Sequence, residues 1–139
     1  MALTIRRAAY YYTTVHDRPG EAYRLLSHLA AREVNLLAFN AVPMGTTHTQ
    51  LVLFPENEQQ LIEAAEKTGL VLTGPQHALL VQGDDELGAI SDVHGVLYDR
   101  GINVYASNGV TDGKGSFGYL VYVTAEDFER AAEALETKR

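Results

Sequence analysis

Val15-His16-Asp17-Arg18-Pro19-Gly20-Glu21, continuing through a long amphipathic segment to Glu33-Val34-Asn35-Leu36-Leu37, decides the fold. The strand candidate Ala8 to Val15 leads into it, rich in β-branched and aromatic residues although its alternation is blurred. Asp17 to Gly20 read as a polar turn, and Pro19 and Gly20 open a helix from about Gly20 to Arg32. Spacings of three and four put Tyr23, Leu26, Leu29 and Ala30 on one face, with Arg24, Ser27, His28 and Arg32 pointing outward. Further along, Asp85-Glu86-Leu87-Gly88-Ala89-Ile90, a helix pattern with Val93, Val96 and Leu97, and Arg100-Gly101-Ile102-Asn103-Val104 repeat the same order.

The remaining segments extend both copies. Leu36 to Val42 reads as a second strand, Pro43 to Thr47 as a hairpin loop, and His48 to Phe54 as a third strand stopped by Pro55. Glu56 to Lys67 is a run of helix formers with early acids, and Gly69 follows as its C-terminal cap. Leu70 to Thr73 is expected as a short fourth strand, with Gly74-Pro75 as the turn into the next copy. There, His77 to Gln82 begins again, then a helix over Leu87 to Arg100, a strand over Ile102 to Thr111, a glycine-rich hairpin, a strand over Phe117 to Val123 and a helix over Glu126 to Leu135. The four residues after Leu135 are too few and too charged for a further strand.

The expectation is therefore α+β: two ferredoxin-like βαββαβ units in tandem, residues 1–75 and residues 76–139, the second lacking its last strand. Such a unit has strand order 4-1-3-2 with both helices on one face. Leu70 to Thr73 would form a hairpin with Leu79 to Gln82 and serve both units; the alternative is two separate sheets, the second edge covered by another chain.

Bulk composition narrows the function. At 46% hydrophobic and 21% charged the chain is built to fold, and disorder is not expected. A net charge of −7 with scattered Arg and Lys opposes phosphate-backbone binding, so no nucleic acid is expected. The absence of cysteine removes a disulfide framework, a thiolate nucleophile and Cys-based zinc. Met1 to Arg7 is too short and polar for a signal peptide, and no apolar run approaches the roughly 18 residues of a membrane span. No membrane is expected, and the location is read as cytoplasmic.

Asp17-Arg18-Pro19-Gly20, followed by a helix and Val34-Asn35-Leu36, resembles the signature of the ACT domain, the amino-acid-sensing module of aspartate kinases and phosphoglycerate dehydrogenases. The second copy, Asp85-Glu86-Leu87-Gly88 with Gly101-Ile102-Asn103, keeps the glycine and the asparagine but has Leu87 where the pattern has proline. The resemblance spans about Ala8 to Leu135. It implies a non-catalytic regulatory protein, a small metabolite, most often an amino acid, bound where the first turn meets a neighbouring ACT unit, a homodimer, and a partner metabolic enzyme. No cofactor is implied.

The residues supply physical reasons of their own. A helix N-terminus presents unpaired N–H groups and partial positive charge that suit a carboxylate. Gly20 and Gly88 clear the approach to it, while Asp17 and Asp85 could answer an ammonium group. Asn35 and Asn103 supply amides near the second strand, Asn40 and Asn108 lie further along, and Leu36 and Val104 adjoin them. With Arg18, Pro19 and Leu87 these complete the candidate ligand-binding set. The same residues admit a structural reading: Asp17 and Asp85 as helix caps, Gly20 and Gly88 for close helix-to-sheet packing, and the asparagines as turn formers. Residues alone leave both open.

His16, His28, His48, His77 and His94 lack the spacing of a helical metal site, and no metal is expected. His16 adjoins the proposed pocket, with a solvated surface role as the plainer reading. Gly113-Lys114-Gly115-Ser116 lacks the spacing of a phosphate loop, and no nucleophile elbow is present. An enzyme using Asp17 and His16 ranks below a metabolite-binding regulator and a ligand-free interaction module, because nothing groups base, nucleophile and oxyanion donor.

Overall fold

The structure is a computed structural model that describes residues 3–137. Its first strand, β1 (Leu3–His16), starts well before Ala8, because Leu3, Thr4 and Ile5 continue the β-forming composition. Then follow α1 (Glu21–Ala31), β2 (Leu36–Met44), β3 (His48–Pro55), α2 (Glu58–Thr68) and β4 (Thr73–Asp84). The second half comprises α3 (Ala89–Asp99), β5 (Ala106–Thr111), β6 (Ser116–Tyr122), a 3₁₀ turn over Ala125–Asp127 and α4 (Phe128–Glu136). The architecture is α+β, with six strands hydrogen-bonded in the order β2-β3-β1-β4-β6-β5. The pairs β1·β3, β2·β3, β4·β6 and β5·β6 are antiparallel.

The chain forms two compact units, one of residues 9–76 and one combining residues 3–8 with 77–137. The first takes β2, β3, the later part of β1 and the start of β4. Its core holds Tyr11, Leu25, Leu29, Leu51, Leu53 and Leu61. α1 packs against α2. The buried positions of α1 are Leu25 and Leu29, with Ala22 and Leu26 beside them, whereas Tyr23 is 75% exposed. The expected face is thus rotated by one position: Leu25 goes inward in place of Tyr23, whose hydroxyl keeps water. α2 is capped by Asn57, whose side chain accepts from the Gln60 N–H over 3.1 Å, and ends at left-handed Gly69 as expected.

Leu70 to Leu72 lie outside any strand, and Gly74-Pro75 sits within β4 rather than turning the chain. This overturns the expected hairpin and its short donated strand. Gly74 lies against the neighbouring backbone: a Cβ there would come 2.9 Å from the Tyr10 carbonyl oxygen, so the glycine serves close approach, not reversal.

In the second unit the core gathers Leu79, Val81, Val93, Leu97, Val121 and Leu135, and α3 packs against α4. Ile5 belongs to this core, with Leu3 packed on it. The start of β1 therefore stands beside β4, at the fourth-strand position, in the 4-1-3-2 order of this unit. The strand expected to be missing is drawn from the beginning of the chain. Arg7 reinforces it with ion pairs to Glu129 and Glu136 of α4 at 3.3 and 3.1 Å.

Candidate functional site

The two strand-to-helix turns have matching backbone hydrogen bonds. After β1, the Asp17 N–H donates to the Thr47 carbonyl (2.8 Å), the Arg18 N–H to His16 (2.9 Å), the Glu21 N–H to Arg18 (3.3 Å) and the Arg24 N–H to Gly20 (2.9 Å). After β4, the Asp85 N–H donates to Gly115 (2.8 Å), the Glu86 N–H to Asp84 (2.9 Å), the Ala89 N–H to Glu86 (3.1 Å) and the Asp92 N–H to Gly88 (2.9 Å). Leu87 in place of proline leaves this geometry intact. In both turns the hairpin carbonyl of Thr47 or Gly115 anchors the aspartate backbone, so each turn sits at the rim where a β-hairpin closes.

Gly20 and Gly88 are the residues that precede the helices, at φ +89° and +84°. A Cβ on either would meet nothing within 4 Å, so close packing does not explain them; the left-handed backbone does. No side chain caps α1 or α3, so neither Asp17 nor Asp85 acts as a helix cap. With the Glu21 and Ala89 N–H groups taken by the turn carbonyls, those of Ala22 and Tyr23 and of Ile90 and Ser91 are left to water or a ligand.

Electrostatically the two turns differ. Glu21, first residue of α1, accepts from Arg18 Nη2 at 2.9 Å and pairs with Arg24 Nη2 at 3.3 Å. Hydrogen bonds from Arg18 and then Arg24 hold its carboxyl below the usual carboxylate range. The corresponding residue of α3 is Ala89. Beside it an open groove of about 550 Å³ is walled by Asp85, Glu86, Leu87, Gly88, Ala89, Ile90 and Ser91, and on the other side by Gly109, Val110, Thr111 and Phe117.

The structure brings Asp17, Arg18, Pro19 and Gly20 together, and likewise Asp85, Leu87 and Gly88, but not the second-strand candidates. Each helix carries the chain from the turn to the far end of its unit, about 16 Å for eleven residues. Asn35 donates to Glu56 Oε2 at 2.8 Å and its carbonyl accepts from the Glu56 N–H at 2.9 Å, fastening the start of β2 to the end of β3. Leu36 pairs there with Pro55, whereas His16, His48 and Met44 are aligned at the turn end. Asn103 and Val104 lie in the link after α3, outside β5. Asn40, opposite Val52, and Asn108, opposite Leu120, are mid-strand. Ile90, Ser91, Gly109, Val110, Thr111 and Phe117 were not singled out by sequence. Their signal was positional: Gly109 to Thr111 end the strand entering the hairpin that holds Gly115.

His16 faces His48 across β1 and β3, ring centroids 4.6 Å apart. Among the described residues no group of three His, Asp or Glu could hold a metal, and no helix is long and apolar enough to cross a membrane.

Comparison with known proteins defines the class of fold. By sequence, no protein-family model and no curated protein matches the chain. Solved structures do. A protein from Bacteroides thetaiotaomicron matches with TM-score 0.82 at 13% identity, over 96% of this chain and 90% of that one. The ligand-free regulatory subunit of aspartate kinase from Thermus thermophilus matches with TM-score 0.67 at 17% identity, over 97% and 95%. E. coli aspartokinase III in complex with lysine and aspartate matches with TM-score 0.51 at 18% identity, over 99% of this chain and 32% of that one. The chain has the tandem ACT-type fold of aspartate kinase regulatory subunits.

Proposed function

We propose that the chain is a non-catalytic regulatory protein that binds an α-amino acid at its strand-to-helix turns. The observation that carries this reading is the duplicated turn itself: a left-handed glycine, an uncapped helix start and an aspartate whose side chain forms no ion pair among the described residues, set out twice by the same backbone hydrogen bonds. Uncapped N–H groups suit the ligand carboxylate. Asp17 or Asp85 suits its ammonium group. Aspartokinase III, which shares this fold, was solved with lysine and aspartate bound, which supports an amino acid as the ligand class.

In this reading the candidate set narrows to Asp17, Arg18, Pro19 and Gly20, and to Asp85, Leu87 and Gly88. The ligand is covered by an ACT unit of a second subunit in a cytoplasmic homodimer, and the liganded arrangement is read by a partner metabolic enzyme. Regulation follows if the ligand binds one arrangement more tightly than another.

Thermal-shift measurement against the twenty amino acids tests the reading. A ligand near 100 times its Kd stabilises the folded state by about 2.7 kcal/mol, a rise of several degrees in Tm. At least one amino acid should give this rise. No shift with any of them would overturn the reading and favour a ligand-free interaction module.

A further inference from the structure

Met44, His48 and His16 form one row across β2, β3 and β1. Met44 stands directly opposite His48, and His48 directly opposite His16. Opposed residues of antiparallel strands point to the same face, with Cβ atoms about 4.5–5.5 Å apart. The three side chains therefore share one face at the rim of the unit of residues 9–76, where β2 turns into β3 and β1 ends. The His16 and His48 rings lie with centroids 4.6 Å apart and planes tilted by 37°. Met44 is 49% exposed and stands outside the core of this unit, so its thioether is accessible beside them.

Local hydrogen bonds hold the row in place. The Asp17 N–H donates to the Thr47 carbonyl at 2.8 Å, tying the hairpin to the end of β1, and Thr47 Oγ1 is hydrogen-bonded to His48 Nδ1 at 2.8 Å. With Nδ1–H donating to Thr47, His48 Nε2 keeps its lone pair for another partner. A hydrogen bond on the remote ring nitrogen is what fixes the tautomer and orientation of a metal-binding imidazole. The His16 ring makes no hydrogen bond among the described residues, so both of its nitrogens remain available.

The donor set selects the ion. Two imidazoles and a thioether are uncharged ligands, and among the described residues no third histidine or carboxylate completes a group around them. Calcium and magnesium take oxygen ligands, and structural zinc takes four donors drawn from cysteine, histidine and carboxylate. Thioether sulfur favours Cu(I), and imidazole suits copper as well. We infer that Met44, His48 and His16 bind one Cu(I) ion, through Sδ of the methionine and one ring nitrogen of each histidine. This site needs neither an open helix start nor a second subunit, so it is independent of amino-acid binding.

Anaerobic titration of the full chain with Cu(I), kept reduced by ascorbate and competed against bicinchoninate, tests this. One ion should bind per chain, and excess Zn²⁺ should not displace it. X-ray absorption at the copper edge should show two nitrogen ligands and one sulfur. Met44→Leu, which keeps the side-chain bulk, and His16→Phe, which keeps an aromatic ring against His48, should each weaken Cu(I) at least about tenfold. Thr47→Val, which removes the hydroxyl that orients His48, should weaken it by about tenfold. His77→Ala, in the other unit, should leave it unchanged. Cu(I) affinity surviving His16→Phe or Met44→Leu, displacement by zinc, a copper centre without sulfur, or no binding against the competitor would overturn the inference. Amino-acid binding would stand in each case, because the thermal-shift measurement decides it separately.

Discussion

The Tyr11 hydroxyl donates to Glu58 Oε1 over 2.7 Å, joining β1 to the first turn of α2 beneath the core of residues 9–76. Burial first, then the hydrogen bond and the negative charge of Glu58, push the phenol up to about 12. A phenol whose pKa is higher folded than unfolded stabilises the fold fully below about pH 10. That contribution is lost as pH rises through about 12. Urea denaturation between pH 8 and 11.5 should show stability falling above pH 10, with a shallower fall in Tyr11→Phe. Equal slopes for both proteins would refute the assignment.

Residues 3–8 serve the core of the distant half of the sequence, so their loss should be felt there. Ile5 is 8% exposed within that core, and Ile5→Ala should cost about 2–5 kcal/mol. Amide hydrogen exchange should accelerate most at Val81 and Val121, not at Leu53, which lies in the other unit's core. Acceleration centred on Leu53 would contradict the strand assignment.

Gly95 lies inside α3, and a Cβ there would meet nothing within 4 Å. Neither a positive φ nor close packing calls for glycine at this position. Gly95→Ala should therefore stabilise the protein by about 1 kcal/mol, through helix propensity and a less flexible unfolded chain. Chemical denaturation reads this directly, and a destabilised Gly95→Ala variant would show that a contact at Gly95 had been overlooked.

Particular residues show where sequence was sufficient. The repeat was legible because Asp17-to-Gly20 and Asp85-to-Gly88 each need a tight reversal before an amphipathic helix, and local chemistry imposes that reversal. Gly69 likewise announced the C-terminal end of α2, whereas composition places its start at Glu56, two residues before Glu58, because the cap Asn57 reads as part of the helix. Gly74-Pro75 misled because the pair marks turns by composition, whereas here the close Tyr10 backbone demands the glycine. The placement of Leu3 to Ala8 in the other unit is a long-range pairing with no local signature. Asn35 was grouped with the turn residues because spacing does not say that an eleven-residue helix carries the chain to the far end of the unit. Val110 and Ile90 were missed for the same reason: the groove joins a helix start to the end of a strand well downstream.

Gly88 and Gly20 hold left-handed backbones in open space, so substitutions there should be ranked by backbone preference rather than by size. Asparagine tolerates this region, alanine is disfavoured by about 1–2 kcal/mol, and β-branched valine is strained further. In ligand-free urea denaturation, Gly88→Asn should cost less than Gly88→Ala, and Gly88→Val the most. The Gly20 series should follow the same order, because its turn is closed by matching backbone bonds. Equal costs for asparagine and alanine at both positions would mean that the glycines are kept for some reason other than their φ.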